Sequence, residues 1–234
     1  MKNLVLLGLF VLFLVAVQFA SGKTVDEIIE KHIQGIGGFD NAYRIKSIYM
    51  EGVIKTSAAS GFLKIFKEQN KFTGDYSDFN MRWQIADEED SFSASANSNT
   101  QSKMFNDVIA NMQTDPQITA TLVTYVGLGY QPVMTGKEVI NGNTCYKIKL
   151  TTKTGSDINY WFTSSGFQLM QVLIEKDENG MSAKKTGSTL YTNYKTIDGI
   201  PMAHNIEIAI AGLNENDPVK ISFNKIEINQ LFKT

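Results

Sequence analysis

The stretch that most constrains the fold is residues 145–176, CYKIKLTTKTGSDINYWFTSSGFQLMQVLIEK. It contains three extended segments rich in aromatic and β-branched residues, separated by short breaks at Gly155-Ser156 and Ser165-Gly166. Such segments, joined by tight glycine-containing turns, are typical of antiparallel strands in hairpins. The stretch therefore predicts a β-meander, around which the rest of the chain is arranged.

Both faces of this meander carry apolar residues. In the first strand Tyr146, Ile148 and Leu150 alternate with Lys147 and Lys149, so one face is apolar and the other polar. In the third strand both faces are apolar, which means that each side of the sheet needs a cover. Alternation assigns them to two sets: Met170, Val172 and Ile174 against Phe167, Leu169 and Leu173. We expect the first set to face the concave side of the sheet.

The first 22 residues have the composition of a secretory signal peptide. Lys2 precedes an apolar run from Leu4 to Phe19, and the small residues at 20–22 fit a cleavage site before Lys23. The alternative is a retained membrane anchor, although the run is near the lower length for spanning. We therefore expect residues 1–22 to be removed and residues 23–234 to form one exported domain, since β domains of roughly 200 residues are common.

Charge and cysteine content exclude several classes of protein. The formal net charge is −2 and the basic residues form no stripe, which argues against nucleic acid as a partner. Cys145 is the single cysteine, so the chain has no intramolecular disulfide. We interpret Cys145 as a small core residue and not as a reactive thiol.

Helical patterns occur at the start and in the middle of the chain. Thr24 and Glu27 form a capping-box pattern before a helix predicted from Val25 to about Ile36. In the middle, an apolar stripe at helical spacing consists of Met104, Phe105, Val108, Ile109 and Met112. Asp115-Pro116 then predicts the start of a second inserted helix, which runs to Gly127.

The remaining patterns have the period of strands. The clearest, from Phe79 to Ala86, places Met81, Trp83 and Ile85 on one apolar face. With the meander and the segments after Pro132, we count about ten strands and three helices. The fold class is therefore mainly β (α+β), an antiparallel sheet with helices inserted between two runs of strands.

The sequence contains short matches to catalytic and metal-binding motifs, but none has the surrounding pattern that such a site requires. Ser182–Lys185 matches S-x-x-K and Lys185-Thr186-Gly187 matches K-T-G, but they share Lys185 and lie in a charged turn. His32 and His204 have no second histidine or cysteine near them in sequence, and we interpret both as structural. The acidic run 87–90 lacks calcium-loop spacing. We expect no enzyme activity, no cofactor and no metal site.

The excess of large, flexible apolar side chains leaves two possibilities open. The sheet and its helices could form an ordinary filled core, or they could enclose a cavity for an acyl chain, since Met and Phe tolerate irregular ligands. Composition and periodicity do not distinguish the two.

Four segments resemble the bacterial outer-membrane lipoprotein-sorting (LolA-like) family, particularly its Bacteroidetes-type branch. They are DEIIEKHIQGIGGFDNAYRIKSIYMEG, GKEVINGNTCYKIKL, YKTIDGIPMAHNIE and KIEINQLFK, in the family's order. The resemblance implies a strongly curved antiparallel half-barrel with helices covering its concave face. It also implies a monomeric carrier in the periplasm of a Gram-negative bacterium, which shields the acyl chains of a lipoprotein or lipid and works with envelope transport proteins.

On this hypothesis the hydrophobic cavity is lined from the strand, the inserted helix and the meander. The residues that we predict to bind the ligand are Met81, Trp83, Ile85, Met104, Phe105, Val108, Met112, Met170 and Val172. The alternative is a non-catalytic interaction or structural module of the envelope with a filled core.

Overall fold

The computed structural model describes residues 23–57, 60–68, 71–76, 81–85, 93–94, 108, 111–112, 121–153, 155–177, 183–210 and 217–229. Three helices have bounds in this part: α1 (Val25–Gly35), α2 (Gly38–Arg44) and α3 (Thr121–Leu128). No helix among these residues has the length and apolar character needed to cross a membrane. The strands are β1 (Ser47–Lys55), β2 (Ser60–Glu68), β3 (Lys71–Tyr76), β4 (Met81–Ile85), β5 (Ser93–Ala94), β6 (Gln131–Ile140), β7 (Asn143–Thr151), β8 (Asp157–Thr163), β9 (Leu169–Asp177), β10 (Ala183–Ile197), β11 (Ile200–Ile210) and β12 (Val219–Ile228).

The twelve strands form one antiparallel sheet in the order β5-β4-β3-β2-β1-β12-β11-β10-β9-β8-β7-β6. Neighbours in the sheet are also neighbours in sequence, except that β1 pairs with β12 and so joins the first strands to the last. The sheet is curved and does not close, which leaves β5 and β6 as its two edges. The predicted mainly β half-barrel is therefore confirmed, with twelve described strands where the sequence suggested about ten.

This strand order determines the path of the chain between β5 and β6. Residues 95–130, which we call the insert segment, connect one edge of the sheet to the other. Val108, Met112 and Leu122 of this segment belong to the same buried cluster as the strands, so these described residues pack against the concave face. The part of the insert segment that the structure describes therefore lies over the open side of the sheet, between two runs of strands, as predicted.

One hydrophobic cluster lies between the concave face and the helices. Its sheet members come from strands on both sides of the β1–β12 pair, namely β1, β2 and β7–β12, which shows that these strands share one core. They include Ile48, Met50, Ile54, Leu63, Ile65, Ile148, Leu150, Tyr160, Phe162, Val172, Tyr191, Ile206, Ile208, Ile210, Ile221 and Phe223. We call this set, with the helix residues packed on it, the inner cluster.

A β-bulge in β9 changes which residues of this strand face the inner cluster. Trp161 pairs with Gln171 while Phe162 pairs with Leu169, so Met170 is the extra residue. Leu169 and Val172 consequently lie in the inner cluster, whereas Met170 lies with Cys145 and Trp161 in a second cluster on the other face. The prediction that Met170 and Val172 share a face is wrong, because simple alternation does not account for the bulge.

Candidate functional site

The apolar face of α1 lies on the concave side of the sheet. Ile28, Ile29 and Ile33 are at most 2% exposed and belong to the inner cluster. The helix begins where the sequence predicts, with the Thr24 hydroxyl accepting from the Glu27 amide and the Glu27 carboxylate accepting from the Thr24 amide. These two bonds satisfy amides that the first turn of a helix leaves unpaired.

A polar contact joins the other end of α1 to the turn between β8 and β9. His32 Nδ1 lies 2.9 Å from the carbonyl oxygen of Phe167, and the His32 ring packs against Phe162 with centroids 4.8 Å apart. Because a carbonyl oxygen only accepts, Nδ1 carries the proton in this contact. Burial lowers the pKa of His32 to about 4, despite the opposing effect of the Phe167 hydrogen bond. His32 is therefore neutral at physiological pH.

Phe167 also contacts β7 and two lysines, one in α1 and one just before it. Its ring stacks on Tyr146 of β7 with centroids 6.2 Å apart, and the ammonium groups of Lys23 and Lys31 lie 4.4 and 5.6 Å from its centroid. Cation–π contacts of this kind contribute about 0.5–1 kcal/mol each at exposed sites. Together with His32 they fix α1 at one point of the sheet.

The insert segment contacts both α1 and the sheet. The hydroxyl of Tyr125 in α3 donates to Asp26 Oδ1 over 3.1 Å, at the first turn of α1. Val108 and Met112 are at most 1% exposed, in a part of the insert segment whose described residues are helical. The side chain of Asn111 lies against Gly187 of β10, where a Cβ would approach Asn111 Oδ1 to 3.1 Å.

Among the described strand residues of the concave face, most buried side chains are aliphatic or aromatic, and His204 adds an imidazole. His204 in β11 is 3% exposed and lies on the face of Met202 and Ile206. Its Nδ1 lies 3.1 Å from the carbonyl oxygen of Met202, which leaves Nε2 as the ring's acceptor when the ring is neutral. This face therefore offers a ligand mainly apolar contacts. In β11, His204 adds a side chain that can form a hydrogen bond.

The structure describes seven of the nine predicted ligand-binding residues. Val108, Met112 and Val172 lie together in the inner cluster. Met81, Trp83 and Ile85 form alternate positions of β4, next to β3, and nothing further is described for their side chains. Met104 and Phe105 lie outside the described residues, as does the acidic run 87–90.

Met170 lies apart from Val108, Met112 and Val172, on the convex face. There Cys145, Trp161 and Met170 are at most 7% exposed. Trp161 Nε1 donates to Glu138 Oε2 over 2.9 Å, and Lys147 bonds Glu138 Oε1 at the same distance. Glu138 and Lys147, together with Ile140 and Leu173, thus surround a small second core on this face. Burial raises the pKa of the Cys145 thiol, as expected for a core residue.

Many residues of the concave face were not among the predicted ligand-binding residues. The isoleucines of β1, β11 and β12 recur at alternate positions, as on the face of a strand, but the pairing of β1 with β12 that places them under the helices is a long-range contact. Ile28, Ile29 and Ile33 have the spacing of an apolar helix face. Only their position shows that they occupy the concave side.

Among the described residues, no three His, Cys, Asp or Glu side chains group in a way that could hold a metal ion.

Comparison with known proteins supports the fold. No family model and no curated protein matches the sequence. A DUF1329 family protein from Desulfovibrio piger is 12% identical with a TM-score of 0.53, and the match covers 91% of this chain and 96% of that one. A LolA superfamily protein from Nitrosomonas europaea is 11% identical with a TM-score of 0.53, with 90% and 96% covered.

A third structure agrees with these two. It is a domain from Vibrio parahaemolyticus assigned as an outer membrane lipoprotein-sorting protein, 11% identical, with a TM-score of 0.51 and 88% and 93% of the two chains covered. At such low identity the likeness concerns the fold alone. The chain therefore has the fold of LolA superfamily proteins and of outer membrane lipoprotein-sorting domains.

Proposed function

We propose that this protein is a carrier that binds the acyl chains of a lipoprotein or lipid against its concave face, for delivery towards the outer membrane. Residues 1–22 direct export to the periplasm of a Gram-negative bacterium, and residues 23–234 act there as one monomeric domain. The carrier performs no covalent chemistry and needs no cofactor. Envelope transport proteins are its partners in loading and unloading.

The observation that carries this proposal is the place of the insert segment in the chain. It connects the two edge strands of an open sheet, and its described residues Val108, Met112 and Leu122 pack on the concave face without belonging to a strand. α1 is likewise attached to the sheet through side chains, at His32 and through its isoleucines. Such helices can move away from the sheet without breaking any strand pairing, which is the requirement for admitting a long apolar chain.

The energetics limit how tightly a cargo binds. Each CH₂ removed from water contributes about 0.8 kcal/mol. A cargo that displaces α1 must replace the buried contacts of Ile28, Ile29 and Ile33. The loss of these contacts offsets much of the free energy that burial of the cargo provides. The net affinity is therefore moderate, which suits a carrier that must release what it binds.

The inner-face residues provide the cargo contacts in this proposal. Val108, Met112 and Val172 contribute from the inner cluster, while Met81, Trp83, Ile85, Met104 and Phe105 are assigned from their sequence pattern. Met170 is left out because it lies in the second cluster.

A second function is favoured by one observation. The helix residues on the concave face are almost completely buried, with Ile28 and Val108 at 0% exposure. A permanently filled core of this kind belongs to a non-catalytic interaction or structural module of the envelope.

The test is native mass spectrometry of the protein purified from its own envelope. We expect additional mass from bound lipid or lipoprotein. Finding none, under conditions that preserve the cargo of a known carrier, contradicts the carrier function and favours the filled module. The N-terminal sequence of the same sample checks export, since it should begin at Lys23.

A matched pair of variants makes the test specific to the concave face. Val172 and Leu173 are adjacent in β9 but face the inner and the second cluster respectively. Val172→Phe adds volume where the cargo is proposed to lie, while Leu173→Phe adds it on the other face. We expect only Val172→Phe to reduce the bound fraction, with circular dichroism showing that both variants are folded. Equal cargo in the two variants contradicts binding on the concave face.

A further inference from the structure

An open groove of about 800 Å³ runs along α2 on the outside of the molecule. No residue of α2 whose burial is described is buried, so this helix contributes little to the inner cluster. Its flanking residues Ile36 and Ile45 do pack against that cluster and fix the helix at both ends. The residues that line the groove are Gly37, Asp40, Asn41, Tyr43, Arg44 and Lys46.

The guanidinium of Arg44 is positioned within this groove. Arg44 Nη2 donates to Asn41 Oδ1. The Asn41 side chain in turn packs on Gly37, where any Cβ would clash with it and where φ is +94°. A guanidinium has five N–H donors, so most remain available for a ligand. The backbone beside it is fixed as well, since the Lys46 amide donates to Asn229 Oδ1 over 2.6 Å.

The groove carries a local excess of positive charge. Arg44 and Lys46 are exposed, and neither takes part in any ion pair found among the described residues. Asp40 is the single carboxylate in the lining, which leaves one net positive charge in a protein whose formal net charge is −2. This part of the surface therefore attracts anions that the molecule as a whole repels.

Two exposed aromatic residues lie on the same short helix. Phe39 is 49% exposed and Tyr43 is 54% exposed, and their spacing of four residues places them one above the other. Aromatic side chains beside cationic ones are typical of surfaces that rest at the boundary between lipid headgroups and acyl chains. A free phosphate ion or another inorganic anion would bind the cationic side chains without contacting the two rings.

We propose that α2 docks this protein on an anionic phospholipid bilayer. Arg44 and Lys46 bind headgroup phosphates, and Phe39 and Tyr43 enter the interfacial layer. The contact is weak and reversible, because two cations and two rings contribute little area and α2 is not long enough to penetrate further. It is separate from cargo binding, which takes place on the concave face.

The experiment is co-flotation of the full mature chain with vesicles, either of phosphatidylcholine alone or with phosphatidylglycerol added. We expect binding to the anionic vesicles alone, and weakening as salt is raised. Since each cation near such a surface contributes about 1 kcal/mol, the double variant Arg44→Gln/Lys46→Gln should bind about thirtyfold more weakly. Phe39→Ser/Tyr43→Ser should also bind more weakly, but with the salt dependence of the wild type.

The matched control is Lys55→Gln/Phe62→Ser, which removes one exposed cation and one exposed aromatic ring from β1 and β2. This control should bind as the wild type does. Equal binding to both vesicle types, or unchanged binding of the Arg44/Lys46 variant, overturns the proposal. So does loss of binding in about 5 mM inorganic phosphate at constant ionic strength, since that outcome indicates a site for the free anion. Native mass spectrometry of the same variants reports the cargo independently, so failure of the two proposals can be told apart.

Discussion

His32 Nδ1 donates a hydrogen bond to the carbonyl oxygen of Phe167 over 2.9 Å, across 135 positions of sequence. The two residues join α1 to the turn between β8 and β9, at a site where the Phe162 ring also packs on the imidazole. Because α1 covers the concave face, this contact bears directly on how readily the face can open. It also makes the attachment of α1 dependent on the charge of one ring.

The first prediction concerns pH. Burial holds the folded-state pKa of His32 at about 4, below the ordinary value of 6.5, so the unfolded chain binds a proton more readily. The contribution of neutral His32 to stability is therefore complete above pH 6.5 and is lost as the pH falls towards 4. We expect a loss of roughly 2–3 kcal/mol in the free energy of unfolding over this range.

Urea denaturation at a series of pH values measures this effect. His32→Gln should remove that part of the pH dependence. If the free energy of unfolding of the variant changes with pH as steeply as that of the wild type, the effect comes from other groups.

The second prediction concerns the close approach of β1 and β12. A Cβ on Gly52 would lie 2.2 Å from the carbonyl oxygen of Ser222 and 2.8 Å from Phe223 Cα. Gly52→Ala should therefore destabilise the fold by about 3 kcal/mol or more, because backbone atoms must shift. Gly127→Ala in α3 is the control, since nothing lies within 4 Å of its added Cβ. It should stabilise by about 0.5–1 kcal/mol, and thermal denaturation that ranks the two variants alike would contradict the close contact between these two strands.

The third prediction concerns the start of α1. Thr24→Ala removes the hydroxyl that accepts from the Glu27 amide over 3.2 Å. We expect a loss of about 1 kcal/mol in the free energy of unfolding, whereas Thr24→Ser keeps the acceptor and should lose much less. Chemical denaturation of the two variants provides the comparison, and equal losses would indicate that the methyl group and not the cap matters.

The fourth prediction concerns Cys145. It is 0% exposed, and burial raises the pKa of its thiol. Ellman's reagent should react with the native protein at least about a hundredfold more slowly than with the unfolded protein, because reaction requires local opening. Lys220→Cys, at an exposed position of β12, should add one thiol that reacts at once. Fast reaction of the native wild type would show that the second cluster opens readily.

Local patterns predicted local structure well. The capping box of Thr24 and Glu27 and the apolar spacing behind it determined α1. Asn141-Gly142 and Asp198-Gly199 both adopt positive φ values, as two-residue hairpin turns require. In β12 the apolar residues change from odd to even positions between Phe223 and Ile226, and the pairing of β12 with β1 is irregular at the same place, opposite Glu51-Gly52. The capping box and the two turns depend on residues close together in the chain, whereas the pairing of β12 with β1 does not.

The residue pattern predicted the set of elements, their apolar faces and the place of the insert segment between two runs of strands. The pairing of β1 with β12, which makes the insert segment connect the two edge strands of the sheet, is seen only in the folded chain. The same is true of the opposite orientations of Met170 and Val172. Both outcomes depend on strand pairing, which residue periodicity does not show. The pairing of β1 with β12 is a contact between distant segments. In β9 a single bulged residue, stabilised by packing on both faces of the sheet, reverses an alternation that the sequence shows as unbroken.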